Sequence, residues 1–181
     1  MGLKGKVYSR FHLKIVIRSI LYKLNFLRFR KIIKKNNSIF FIDFDNTLAN
    51  TAKSRIQGTH KDIASLEPMI GTIAFIKERL KEGQQPVVLS ARDIKTYFQV
   101  QKWLGVNLGI ELVPLFMVNN ANKKLDYYQL CSDSEVVYEV IDDCSYNHEN
   151  GEVKFYDKLI TYLKEKNVPY FNYEYIIKLN K

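Results

Sequence analysis

Two carboxylates, Asp43 and Asp45, stand two residues apart at the end of an apolar run through Ile39, Phe40, Phe41 and Ile42, with Thr47 two residues further on. In a β-strand, residues i and i+2 project to the same side, so both acids would emerge together where the strand ends. Carboxylates that close repel each other. They become useful when a cation sits between them, or when their pKa values are driven apart so that one attacks as a nucleophile and the other carries a proton. Three further segments end in groups suited to the same chemistry. Pro86 to Leu89 is a short apolar run that finishes on the Ser90 hydroxyl, with Arg92 just beyond. Lys123 and Lys124 open a helical pattern, and Val136 to Ile141 delivers a second acidic pair, Asp142 and Asp143.

These four segments, DxDxT after a strand, a strand ending in Ser, a lysine at a helix start and a strand ending in Asp-Asp, lie in order across residues 39 to 143. The combination resembles the motifs of the haloacid dehalogenase-like hydrolases, capless phosphatase type. Each piece alone is common, whereas the ordered set is far more specific. The resemblance implies a Mg²⁺-dependent phosphomonoester hydrolase. Asp43 would attack phosphorus and form an aspartyl-phosphate, while Asp45 would protonate the leaving oxygen and then deprotonate water. Mg²⁺ would be bound by Asp43, the backbone carbonyl of Asp45 and one or both of Asp142 and Asp143, a set of hard oxygens. Ser90 and a lysine, Lys124 in preference to Lys123, would hold the phosphate oxygens. A second, weaker similarity covers 39 to 172. Ser-Ala-Arg-Asp from Ser90, then Trp103-Leu104, Lys124 and Val-Ile-Asp-Asp look like the phosphatase half of polynucleotide kinase/phosphatase, which implies that Arg92 binds phosphate. That group tends to carry arginine where this chain has Cys144, so the role of Arg92 is carried over without the DNA-end substrate. Plainer roles compete: Ser90 as a strand-end hydroxyl bonded to backbone, Arg92 as a surface residue at a helix start, and one of the paired acids as a turn cap.

The elements that must position these groups alternate between strand and helix, which predicts a three-layer α/β domain with a central, mainly parallel sheet. Strands are expected near 39–44, 86–90, 112–118 and 136–141, with an edge strand near 168–172. Helices are expected over 68–82, with Ile70, Ile73, Ile76 and Leu80 on one stripe, and after Asp93, with Ile94, Tyr97, Phe98, Gln101 and Leu104 on one face. Two more should begin near Asn122 and run from about Val153 to Lys166. In an open parallel sheet ligands gather outside the carboxyl ends of the strands, where Asp43, Asp45, Ser90, Asp142 and Asp143 would meet. Only about 20 residues, 48 to 67, separate the first motif from the Pro68 helix, too few for a helical cap. An open site compatible with a nucleic-acid end, a phosphoprotein, or a glycan or lipid-linked phosphate is therefore expected, while closure by oligomerisation would admit a small sugar phosphate or nucleotide; His60 in the insert is expected first as a solvated loop residue and second as a substrate contact.

Composition divides the chain in two. Residues 1 to 37 hold eleven of the 28 Lys and Arg and none of the 19 acids, so the remaining 144 residues carry 17 basic against 19 acidic groups and the net charge of +9 belongs to the extension. The division expected is a basic amphipathic extension, 1–37, and a phosphatase domain, 38–181. Within 11–35 the row Leu13, Ile17, Ile20, Leu24 and Leu27 makes one helical stripe interrupted by cations. It is too charged to span a bilayer and lacks a secretory h-region. Three readings follow: peripheral association with an anionic, inner membrane surface, contact with nucleic acid, or an accessory helix packed on the domain. Two cysteines, Cys131 and Cys144, fit a reducing, cytoplasmic setting. Alternatives to a general phosphomonoesterase are a phosphatase of nucleotides or nucleic-acid ends, and a non-catalytic adaptor whose working part is the basic arm.

Overall fold

The computed structural model describes residues 3–56, 62–110 and 112–181; His60 lies outside the described residues. The strands among them are β1 (Ser38–Ile42), β2 (Gln85–Ser90), β3 (Leu115–Met117), β4 (Val137–Ile141), β5 (Ser145–Tyr146), β6 (Lys154–Phe155) and β7 (Tyr170–Phe171). The helices are α1 (Leu3–Ile33), α2 (Thr51–Ile56), α3 (Ile70–Lys81), α4 (Tyr97–Leu108), α5 (Lys124–Asp133), α6 (Asp157–Glu165) and α7 (Tyr173–Leu179). Five strands form a parallel sheet in the order β3-β2-β1-β4-β7, and β5 and β6 form a separate antiparallel hairpin. The chain moves outward from β1 through β2 to β3, then crosses back to place β4 on the other side of β1. That reversal is the topological switch point, and it lies between the two strands that carry the acids.

The alternation of side chains along β1 explains the three layers. Phe40 and Ile42 join one core with Val88, Trp103, Leu104, Ile73, Ile76 and Ile176, which puts α3, α4 and α7 on that face. Ile39 and Phe41 join the other, with Val87, Leu89, Val140, Tyr128, Leu159 and Leu163, which puts α5 and α6 there. A strand buried on both faces must read as an unbroken apolar run, as this one does. Phe29 and Ile33 at the end of α1 belong to this second core, where Phe29 meets Phe41, Phe116 and Tyr127 at ring distances of 5.7, 5.6 and 5.0 Å.

Several expected faces are corrected. Ile70 is exposed although its stripe is buried at Ile73 and Ile76. The first turn of α3 instead presents Gly71 and Thr72 to the end of α7. A Cβ on Gly71 would stand 1.7 Å from the Leu179 carbonyl oxygen, and Thr72 Oγ1 accepts from Asn180 Nδ2 at 2.7 Å. Phe98 is 82% exposed, edge-on to Tyr97, while Val100, Trp103, Leu104 and Leu108 carry the buried face of α4. The helix expected from Val153 begins at Asp157, because Lys154 and Phe155 pair with Tyr146 and Ser145. On α1 the residues against the body are Tyr22, Phe26, Phe29 and Ile33, not the stripe Ile20, Leu24 and Leu27, which faces outward; Leu13 and Ile17 have side chains outside those described.

Candidate active site

Strand parity places the acids. Asp43 continues the row of Ile39 and Phe41, and its amide donates to the Ile141 carbonyl at 2.9 Å, so the β1–β4 ladder persists one residue past the strand. Asp142 continues the row of Val140 on the neighbouring strand. Both therefore point to the face covered by α5, and Lys124, the first residue of α5, points back at them. Its Nζ donates to Asp43 Oδ1 at 2.7 Å and to Asp142 Oδ2 at 2.6 Å, with all three residues buried. Lys123 is exposed and pairs with Asp126 at 3.4 Å, so of the two adjacent lysines it is Lys124 that reaches the carboxylates. Asp143 completes the group: Asp43, Asp142 and Asp143 each offer a ligand oxygen, all within 4.8 Å of one another.

The chain is bent to achieve this. Cys144 holds a positive φ of 46°, a conformation that a residue with a Cβ rarely adopts, and its amide donates to Asp142 Oδ1 at 2.8 Å. The Asp143 amide donates to Thr47 Oγ1 at 3.2 Å, so the fully buried threonine of the first segment fastens the two acidic strand ends together. Asn46, also at positive φ (53°), accepts through Oδ1 from Ala52 N at 2.7 Å and Thr51 Oγ1 at 2.9 Å, which anchors the start of α2 beside the cleft.

Burial pushes the Asp43 carboxyl well above the usual carboxylate range; Lys124 opposes this, and Asp142, Asp143 and Asp45 add to it. For Lys124, burial alone would favour the neutral amine, but the carboxylates of Asp142 and Asp43 outweigh it and hold the ammonium charged. Burial likewise raises Asp143, against the hydrogen bond from His148. Three buried acids around one lysine leave negative charge uncompensated, and every available ligand atom is a hard oxygen. The cluster could hold a metal ion.

Asp45 lines the same cleft with a different partner. Its side chain is gripped by Arg92, with Nε 2.9 Å from Oδ2 and a terminal guanidinium nitrogen 2.7 Å from Oδ1, and the guanidinium lies 5.1 Å from the Phe44 ring centre. Asp43, Asp45, Arg92, Lys124, Asp142 and Asp143 all line one cleft of about 220 Å³. Ser90 does not. It shares the parity of Val88, so it faces the opposite side of the sheet from Lys124, fully buried, and accepts from the Arg92 amide at 3.3 Å. Ala91 takes the lining position instead.

The hairpin after β4 adds groups that no sequence pattern had indicated. Ser145 Oγ donates to Asp143 Oδ2 and lies 2.6 Å from the buried His148 Nε2, which is itself 3.4 Å from the same carboxylate oxygen. Tyr146 and Tyr156 line the cleft with their rings 4.8 Å apart. The signals in the sequence are weak: a histidine five residues past the acidic pair, and tyrosines in a segment with no periodicity. No protein-family model, curated protein or solved structure matches the chain.

Proposed function

We propose that this chain is a phosphomonoester hydrolase of the haloacid dehalogenase-like type, working through an aspartyl-phosphate on Asp43. The observation that carries the proposal is the convergence of Asp43, Asp142, Asp143 and Lys124 in one cleft at the switch point of the sheet, with Asp45 two residues along on the same cleft. Asp43 Oδ attacks phosphorus as the bond to the leaving oxygen breaks, and Asp45 supplies the proton that oxygen needs. Asp45 then takes a proton from water, whose oxygen attacks the same phosphorus and releases orthophosphate and the free Asp43 carboxylate. Attack by an anion on an anion requires local positive charge. Lys124 supplies part of it, 2.7 Å from the nucleophile, and Arg92 brings a planar fork to the cleft beside Asp45. Asp43, Asp142 and Asp143 would hold a divalent cation that neutralises the entering phosphate, and Mg²⁺ suits an all-oxygen set. Burial lifts the Asp43 carboxyl, so the ionised nucleophile depends on this neighbouring charge.

The paired rings of Tyr146 and Tyr156 in the cleft lining favour, as a second reading, a leaving group with a planar ring, a nucleotide or a nucleic-acid end. The test is hydrolysis of sugar phosphates, nucleotides and 3′- and 5′-phosphorylated oligonucleotides, with Mg²⁺ or EDTA, by wild type and Asp43→Asn. Activity lost in both EDTA and the variant is expected, and the preferred ester selects between the two readings. Equal trace release from both proteins would overturn the enzyme reading and favour a non-catalytic adaptor.

A further inference from the structure

Helix α1 has two apolar faces, and only one is used by the fold. Tyr22, Phe26, Phe29 and Ile33 recur at spacings of four, three and four and pack on the body. Tyr22 also donates from its hydroxyl to Asp126 Oδ2 at 2.5 Å, near the start of α5, and Ile33 shares a groove with Ser134, just past the end of α5. The helix is thus fixed along its partner over its last three turns. Val16, Ile20, Leu24 and Leu27 recur at four, four and three, which on a helix of 3.6 residues per turn makes a second row, well round from the first. Each of these four side chains is more than half exposed. Exposed cations border the row: Lys23 and Arg30 on one flank, and Lys31 and Lys34 where it ends; on the other flank the Arg28 guanidinium lies over the Phe116 ring, 4.9 Å from its centre. The row continues into a groove of about 790 Å³ with Leu27, Leu130 and Val136 on its wall and Arg30, Lys31 and Lys34 at its rim.

We propose that α1 docks the protein on an anionic lipid surface through Val16, Ile20, Leu24 and Leu27, with the bordering cations on headgroup phosphates. Charge and shape both select this occupant. A row of aliphatic chains edged by lysine and arginine inserts into the headgroup–acyl boundary while the long basic side chains reach up to the phosphates. A nucleic acid rewards the cations but gains nothing from exposed leucines, since its phosphate contacts are made by charge and polar donors. A second copy of this helix would set like charges against each other, because residues 1 to 37 carry eleven cations and no acid. Docking by this row leaves the packed face of α1 in place. It also leaves the carboxylate cleft free, since no α1 residue among those described lines it. No helix among the described residues is long and apolar enough to cross a membrane, so the contact is peripheral. The proposal does not depend on the cleft being catalytic.

The experiment is co-sedimentation of the full chain with phosphatidylcholine vesicles, pure or containing about a quarter phosphatidylglycerol, at low and high salt. The variant is Ile20→Ser/Leu24→Ser/Leu27→Ser, which keeps every charge, and the control is Lys95→Glu/Lys102→Glu, exposed positions on the body. Thermal melting shows that each protein is folded. The expected result is partition onto anionic vesicles about tenfold or more above that onto neutral ones, reduced by salt, and lowered about tenfold by the triple substitution but less than twofold by the control. Unchanged binding by the folded triple variant, or no preference for anionic vesicles, overturns the proposal. So does tighter retention on an oligonucleotide than on vesicles, or a dimer in solution that the three serines dissolve.

Discussion

At the carboxylate end of the sheet, charge is of both signs, clustered and hydrogen-bonded, with the acids in excess: Lys124 is bonded to Asp43 and Asp142, Arg92 to Asp45, and the Ser145–His148 pair to Asp143. On the outer face of α1, charge is exposed and of one sign, with Lys23, Arg30, Lys31 and Lys34 in solvent and no acid anywhere in residues 1 to 37. The difference separates two uses of charge. A clustered, hydrogen-bonded set is coupled, so removing one member is felt by all the others and by anything bound among them. A one-signed, solvated set is a collection of nearly independent contributions, felt at a distance by an anionic partner and hardly at all by the fold.

The comparison can be broken at either end. The largest expected effect is on catalysis: Asp43→Asn should cut turnover by roughly 10³-fold or more while leaving the fold intact, measured by steady-state kinetics beside a thermal melt. Next come the two faces of α1. Phe29→Ala removes a fully buried ring and should cost about 3–5 kcal/mol in denaturant unfolding, whereas Leu24→Ala, on the outer row, should change stability by less than about 0.5 kcal/mol. Similar costs for the two would mean that the faces are not distinct. Lys124→Met strands two buried carboxylates and should lose about 3 kcal/mol in EDTA, partly recovered on adding Mg²⁺; an equal loss with and without the ion would separate the lysine from the metal cluster. For wild type, Mg²⁺ at a hundred times its Kd should add about 2.7 kcal/mol to unfolding, and Asp43→Asn/Asp142→Asn should abolish that gain. Smallest of the side-chain bonds tested, Tyr22→Phe should cost about 1 kcal/mol through loss of the bond to Asp126.

What could be read from residues alone follows the same division. A strand has a side-chain period of two and a sheet has two covered faces, so an apolar run ending in Asp43 or Asp142 fixes the strand, its direction and the edge where the acids emerge. The same parity, taken one step further, separates Ser90 from Lys124, because Ser90 follows Val88 and not Leu89. Between Lys123 and Lys124 only the family resemblance favours Lys124; helical periodicity does not choose, since adjacent positions at a helix start differ only by the turn that the chain takes after Asn120, whose side chain caps a short 3₁₀ turn. The hairpin that brings Ser145, Tyr146 and His148 to the site was illegible for another reason. Its strands are two residues long, and its turns rest on positive φ at Cys144 and Asn147, which ordinary residue types do not announce. On α1 the pattern was present twice. An aromatic row and an aliphatic row both satisfy helical spacing, and which one meets the body is decided by the aromatic pocket of Phe41, Phe116 and Tyr127, residues far away in the chain.

The central claim is that Asp43 is the nucleophile. An acyl phosphate on an aspartate is reduced by borohydride to homoserine, so the decisive measurement is to quench wild type during turnover of its best phosphomonoester with Mg²⁺, reduce, and read position 43 by peptide mass spectrometry. The account predicts homoserine at 43 with Mg²⁺ and none in EDTA or in Asp43→Asn. Homoserine at Asp142 or Asp143 instead, or undiminished turnover by Asp43→Asn, would contradict it.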